Sequence, residues 1–186
     1  MKYILHVGSG FRNASPLPEI YRGGDWREIR LDINPNVQPD ITGDIRSMPQ
    51  TASGAYDAVF SCHNLEHLYP HETPLALAEF YRVLKPGGHA LISCPDLQAV
   101  AAYIAAGTLL EPICVSPAGP VSPLDMLYGH RPSLARGNAY MAHHTGFTDR
   151  TLALALAGAG FENVRVEKRD APYFDLWALG FRPAGG

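Results

Sequence analysis

Five short apolar runs, each breaking off into glycine or polar residues, dominate the first half of the chain. They are Tyr3 to Val7, leading into Gly8-Ser9-Gly10; Glu28 to Ile33, alternating with period two and carrying Asp32; Asp40 to Gly43; Tyr56 to Cys62; and Gly88 to Cys94. Runs of this length, bounded by turn residues, read as strands. Between the fourth and fifth, Leu77, Phe80, Tyr81 and Leu84 form one helical stripe. Pro86-Gly87-Gly88 ends it, because proline cannot continue the ladder and glycine accepts a left-handed cap. Asp96 is placed to cap a helix with the stripe Leu97, Val100, Ala101 and Ile104, and Thr148 to cap another through Leu152, Ala155 and Leu156 to Gly160. Two closing strands, Glu162 to Lys168 and Phe174 to Phe181, are joined by a turn at 170–172 that is too short for a crossover helix, so they run antiparallel. The alternation predicts an α/β fold: a doubly wound Rossmann-like sheet with helices on both faces, mostly parallel, with an antiparallel last strand near the edge.

With 186 residues, 46 % hydrophobic and 18 % charged, the chain is expected to form a single globular domain over 1–186 rather than a disordered segment. A net charge of −3 offers no basic footprint for nucleic acid, and no apolar run is long enough to span a bilayer, so neither partner is expected. Cys62, Cys94 and Cys114 are widely spaced without a C-x-x-C pair, and the opening residues reach glycine too soon for a leader; both predict a reducing, cytoplasmic setting. One stretch breaks the alternation. Residues 107–146 hold five prolines and five glycines, with a single short helix expected from Ser122-Pro123 to about Tyr128. Such a stretch suits a lid-like insertion over the C-terminal edge of the sheet, and its apolar Ile113-Cys114-Val115 suits an interface in a homodimer.

Ligands of open α/β sheets sit beyond the carboxyl ends of the strands, at the switch point. Four features converge there. Gly8-Ser9-Gly10 allows a tight turn and close approach of a ligand to backbone. Asp32, at the end of the second strand, is placed to accept both hydroxyl protons of a ribose. Gly43-Asp44-Ile45 sets a carboxylate and a branched apolar side chain beside one another, as an adenine amine and ring face require. Cys62-His63-Asn64-Leu65-Glu66-His67 brings a histidine-bearing segment to the same edge. A dinucleotide fingerprint would want a small residue where Asn13 stands, which argues against NAD.

In HVGSG at 6–10, LDINP at 31–35, GDIRSMP at 43–49, YDAVFSCHNLEHL at 56–68, RVLKPGGHALISCPD at 82–96 and HHTGFTDRTLALALAGAGF at 143–161, the chain resembles the class I S-adenosylmethionine-dependent methyltransferases of the broad small-molecule type, over nearly its whole length. The resemblance implies S-adenosyl-L-methionine as cofactor. It places Gly8, Ser9 and Gly10 at its methionine part, Asp32 and Ile33 at the ribose, Asp44 and Ile45 at the adenine, and Cys62, His63 and Leu65 along its strand-four side. The family usually has an acidic residue where this chain has His6 and a third glycine where it has Arg12, so the amino-group contact of the methionine is not carried over. With the first strand starting at Tyr3, the N-terminal helical segment that often covers the substrate is not expected, and the insertion, helped by a second subunit, is expected to serve as lid.

An oxygen or nitrogen acceptor on a small molecule is the expected methyl recipient, and a histidine is the natural base for an oxygen acceptor. His67 is the first choice and His143 the second; His63 and His144 also lie at the edge, whereas His71 and His89 are expected to face solvent. Tyr128, His130 and Tyr140 are placed to line an acceptor pocket, and no metal is expected. Two alternatives stand beside this reading. One is a non-catalytic adenosyl-ligand-binding protein of the same fold. The other is a zinc hydrolase built on the H-x-x-E-H pattern of His63, Glu66 and His67, which would need both histidines on one face of a sustained helix.

Overall fold

The computed structural model describes residues 1–12, 16–116 and 118–185; Asn13 lies outside the described residues. The elements follow in the order β1 (Lys2–Val7), β2 (Trp26–Asp32), β3 (Ile41–Thr42), β4 (Tyr56–Cys62), α1 (Thr73–Val83), β5 (Leu84–Pro95) and α2 (Leu97–Ala105). After them come β6 (Cys114–Ser116), β7 (Gly119–Val121), α3 (Pro123–Tyr128), α4 (Arg131–Ala135), α5 (Asp149–Gly158), β8 (Glu162–Arg169) and β9 (Asp175–Phe181). One seven-stranded sheet has the order β3-β2-β1-β4-β5-β9-β8. All pairs from β3 to β5 are parallel, and β9 runs antiparallel to both neighbours. This is the Rossmann-like sheet expected from the alternation, with its reversed last strand one place in from the edge.

Alternation along the strands sends two residue sets to opposite faces. Leu5, Val7, Val59, Ala90, Ile92 and Ala178 meet Leu77 and Phe80 of α1 and Leu152 and Leu156 of α5 in the main core. The opposite face, with Ile4, Ala58 and Phe60, is covered by Leu17, Tyr21 and the partly buried Trp26. The β1–β2 connection contributes to this face without an α-helix among the described residues. The described part of the β1–β2 connection holds only a single 3₁₀ turn, Glu19–Tyr21, because Pro16, Pro18, Gly23 and Gly24 deny an α-helix its donors and its backbone conformation. His89 packs on this face and is half-buried instead of facing solvent freely. The Tyr21 hydroxyl is hydrogen-bonded to its Nε2 at 2.6 Å, and the Phe181 ring packs with centroids 5.7 Å apart.

Two further local expectations are corrected. The fifth strand begins at Leu84 and not at Gly88: Pro86-Gly87-Gly88 follows the end of α1 at Val83, as expected, but lies inside β5, where the register against β4 shifts between Tyr56 and Ala58. Gly88 is required there, since a β-carbon would stand 2.9 Å from the Lys85 carbonyl oxygen and 3.0 Å from that of Asp57. The insertion is also richer than one helix. It contains the β6–β7 hairpin, α3 and α4, and a 3₁₀ turn at Ala139–Met141. The helix expected at Ser122 is α3, closed by a capping box in which Ser122 and Asp125 each accept the other's backbone N–H.

Candidate active site

The topological switch lies between β1 and β4, and the carboxyl ends of β1, β2, β4 and β5 all open at the same edge. Gly8 and Gly10 both adopt positive φ, at 59° and 60°. Asp32 is nearly buried and its two oxygens accept the backbone N–H groups of Gly10 and Asn34, each at 2.8 Å. One carboxylate thus ties the turn after β1 to the turn after β2. The buried Arg30 adds guanidinium bonds to the carbonyls of Gly10 and Gln38. Around Gly8 the fit is tight, because the Asn64 side chain occupies the space a β-carbon would need; around Gly10 nothing lies within 4 Å of that position. Three buried polar atoms near this turn, Ser9 Oγ, Ser61 Oγ and Asn64 Nδ2, have no hydrogen-bond partner within the protein. Buried polar atoms without partners are costly, so such a set fits a polar ligand seated on the turn. At the position where the family usually has an acid, the buried His6 sets Nδ1 2.7 Å from the Glu28 carboxylate.

The third expected contact is arranged differently from its simplest form. Asp44 is engaged by Arg46, whose Nε lies 2.9 Å from Oδ2, and Arg46 continues to Glu72. The hydrogen bond from Arg46 is the main cause holding the Asp44 carboxyl below its usual range. Ile45 is buried in the main core, as is Leu65, so neither side chain presents a free surface; Ile33 is exposed. Cys62 accepts from Ser93 Oγ at 3.3 Å.

Beyond β4 the chain turns sharply at His63, which has φ 47°, and makes a 3₁₀ turn at Leu65–His67. His63 lies between two carboxylates, with Nδ1 3.3 Å from Glu66 and Nε2 3.7 Å from Asp175. Burial works to lower the His63 pKa, but Asp175 and Glu66 overcome it and raise it well above the ordinary imidazole value. Asp175 itself donates nothing and accepts from Arg169 at 2.8 Å. The H-x-x-E-H trio therefore does not converge. His63 turns toward β9, and no sustained helix carries His67.

The histidine that joins Glu66 and His67 comes instead from the insertion. The His67 and His143 rings meet edge-on with centroids 4.9 Å apart. His67 Nδ1–H donates to the Ala142 carbonyl at 3.0 Å and His143 Nδ1–H to that of Met126 at 2.8 Å. Burial lowers the His143 pKa. Backbone bonds hold the two segments together: the Glu66 carbonyl accepts from His144 N at 2.8 Å and Thr145 N at 3.2 Å. The insertion is thereby fastened over the segment after β4. His144 stacks on Tyr69 and His71 is exposed, while Tyr128 and Tyr140 are more than half exposed. His130 is buried with Nδ1 on Ser133 Oγ at 2.8 Å. A separate cleft of about 520 Å³ is lined by insertion residues alone, among them Leu110, Pro112, Asp125 and Arg131.

Of the expected site residues, the structure brings Gly8, Ser9, Gly10 and Asp32 into one bonded turn, and His67 and His143 into contact. Asn64, Glu66 and Asp175 join them. Asn64 and Glu66 lie inside the motif already singled out, whereas Asp175 carries no signal in its local pattern, because only the return of β9 beside β5 puts it opposite Pro95.

Residues 5–92 match the family model described as a methyltransferase domain. None of the curated proteins matches the chain in sequence. Among solved structures, a SAM-dependent methyltransferase from Methanosarcina mazei superposes with a TM-score of 0.64 at 14% identity, covering 99% of this chain and 93% of that one. One from Archaeoglobus fulgidus gives 0.61 at 16% identity, covering 97% and 86%. The 1,6-didemethyltoxoflavin-N1-methyltransferase of Burkholderia thailandensis, solved with 1,6-didemethyltoxoflavin and S-adenosylhomocysteine, gives 0.58 at 14% identity, covering 98% and 71%. The chain thus carries a segment, residues 5–92, that matches a methyltransferase-domain model, and over nearly its whole length it shares the fold of solved S-adenosylmethionine-dependent methyltransferases.

Proposed function

We propose that the protein transfers a methyl group from S-adenosyl-L-methionine to an oxygen or nitrogen of a small-molecule acceptor. The observation that carries this reading is the turn at Gly8–Gly10, where Asp32 locks the backbone, Gly10 stands open, and Ser9 Oγ and Asn64 Nδ2 are buried without partners. Those residues, with Ile33, would hold the cofactor's methionine and ribose parts; Asp44, Ile45, Cys62, His63 and Leu65 would border the rest, Ile45 and Leu65 through their backbone. When bound, the cofactor supplies a methyl carbon already activated by a sulfonium.

The chain's own contribution is alignment and exclusion of water, which at ideal geometry lowers a barrier by roughly 7–11 kcal/mol. The insertion, fastened to Glu66 by two backbone bonds, serves as the lid. His67, with His143 beside it, is assigned the proton of an oxygen acceptor. Their Nδ1–H groups are committed to carbonyls, so in the neutral rings the lone pair sits on Nε2. The low charge of the insertion, in which Asp125 and Arg131 pair with each other, suits a modest, partly apolar acceptor. Calorimetry with S-adenosylhomocysteine tests the reading: one site per chain is expected, weakened by Asp32→Asn. An absence of binding overturns it, and binding without turnover across oxygen and nitrogen acceptors leaves a binding protein of the same fold.

A further inference from the structure

We infer that Glu66, His67 and His143 form a binding site for one divalent transition-metal ion of the zinc type. One ligand atom from each of the three lies within 4.8 Å of the other two. Glu66 Oε1 is taken up by His63, while Oε2 is buried and has no partner in the protein. Both imidazoles donate Nδ1–H to main-chain carbonyls, which turns Nε2 into an acceptor on each ring. With Nδ1 committed on both rings and Oε2 of Glu66 unpartnered, Nε2 of each histidine and Oε2 of Glu66 are the atoms left to hold a cation.

The surroundings have the features of a ligand shell. Histidines that bind metal characteristically give their second nitrogen to a carbonyl or carboxylate, and ligating carboxylates are themselves hydrogen-bonded. His67 and His143 satisfy the first condition, and His63 supplies the second for Glu66. Two imidazoles and one carboxylate match zinc or iron(II) rather than magnesium or calcium, which prefer all-oxygen sites. Zinc–ligand bonds of about 2.0–2.2 Å place tetrahedral ligands roughly 3.4 Å apart. Ligand atoms that lie within 4.8 Å of one another need only a local side-chain adjustment to reach that spacing. Three protein ligands leave a fourth position for an oxygen from outside the chain. In the loaded protein both Nε2 lone pairs are engaged and the two histidines act as ligands. The cation then acidifies the oxygen it binds, so a hydroxyl-bearing acceptor is the favoured class. That last step rests on the methyl-transfer reading; the metal site does not.

The test is titration of the chelator-stripped full chain with Co²⁺ as a spectroscopic stand-in for zinc, followed by visible absorption and calorimetry, with S-adenosylhomocysteine titrated separately. One Co²⁺ per chain with tetrahedral-type visible bands is expected. Glu66→Gln and His143→Gln should each weaken binding about 100-fold or more, and His71→Ala should leave it unchanged. Because His143 lies on the insertion, its variant keeps the sheet intact even where Glu66→Gln disturbs it. Absence of stoichiometric binding, or equal affinity in both ligand variants and the wild type, overturns the site. A chain that takes S-adenosylhomocysteine but no Co²⁺ overturns the metal site and keeps the cofactor reading; one that takes Co²⁺ but no S-adenosylhomocysteine does the reverse.

Discussion

The side chain of Asn64 stands where a β-carbon on Gly8 would be, with its Cγ 2.5 Å from that position. The first glycine of the β1 turn is thus required by a neighbour on the β4 side, across the switch point, as well as by its positive φ of 59°. The second glycine, with open space around it, is the one a ligand can use.

Gly8→Ala should therefore harm the fold and the cofactor site together. Left-handed backbone costs a non-glycine residue roughly 1–2 kcal/mol, and overpacking adds about 1–3 kcal/mol. A loss of about 2–5 kcal/mol in denaturant unfolding is expected, along with weaker S-adenosylhomocysteine binding. Gly10→Ala should cost only the backbone part in stability; an equal loss in both variants would refute the distinction.

Asp32→Asn leaves the size of the side chain unchanged but removes a charge that accepts two backbone N–H groups. Hydrogen bonds to a charged group contribute about 1.5–3 kcal/mol each. Faster amide exchange at Gly10 and Asn34 is the expected outcome, and unchanged protection at both would show that the carboxylate does not hold the two turns.

Gly129→Ala tests how the insertion is assembled. Gly129 has φ 96°, and its β-carbon would fall 1.8 Å from the Met141 carbonyl oxygen, a backbone atom that cannot swing aside. The segment leading to His143 must then separate from the end of α3. Hydrogen exchange should rise across 123–145 with little change in the β1–β4 pair, and the Co²⁺ affinity should fall with it.

Asp125 makes the insertion sensitive to acid. Burial opposes ionisation, but hydrogen bonds from Arg131 and Ser122 prevail and hold the carboxyl well below its usual range. Its folded pKa lies below the unfolded value of about 3.9, so its stabilisation is complete above that value and is lost as pH falls through the folded pKa. The wild type should therefore lose more stability than Asp125→Asn on acidification below about pH 4. Parallel acid-unfolding curves for the two proteins would contradict this.

Much of the fold was legible because strand and helix periods leave distinct marks. The runs at Tyr3 to Val7 and Tyr56 to Cys62 are strands, the Ser122 and Thr148 caps begin helices, and the short turn after β8 makes β9 antiparallel. Pro86-Gly87-Gly88 follows the helix end as its composition predicts, but the strand already begins at Leu84, because proline and glycine also suit the irregularity in β5 where Gly88 is crowded by backbone. His89 misled because a polar side chain beside glycines suggests a turn, whereas the phenol of Tyr21 and the ring of Phe181 cover part of it.

The sequence by itself determined the order of strands and helices, the glycine turn after β1 and the acid at the end of β2, since these depend on residues adjacent or regularly spaced in the chain. Tertiary structure alone decided which partners the edge histidines take. His63 goes to Asp175 on the returning last strand, and His67 goes to His143 on the insertion. Those pairings join residues far apart in the chain. Their geometry is set by how the insertion and β9 pack on the sheet, and no local periodicity encodes it.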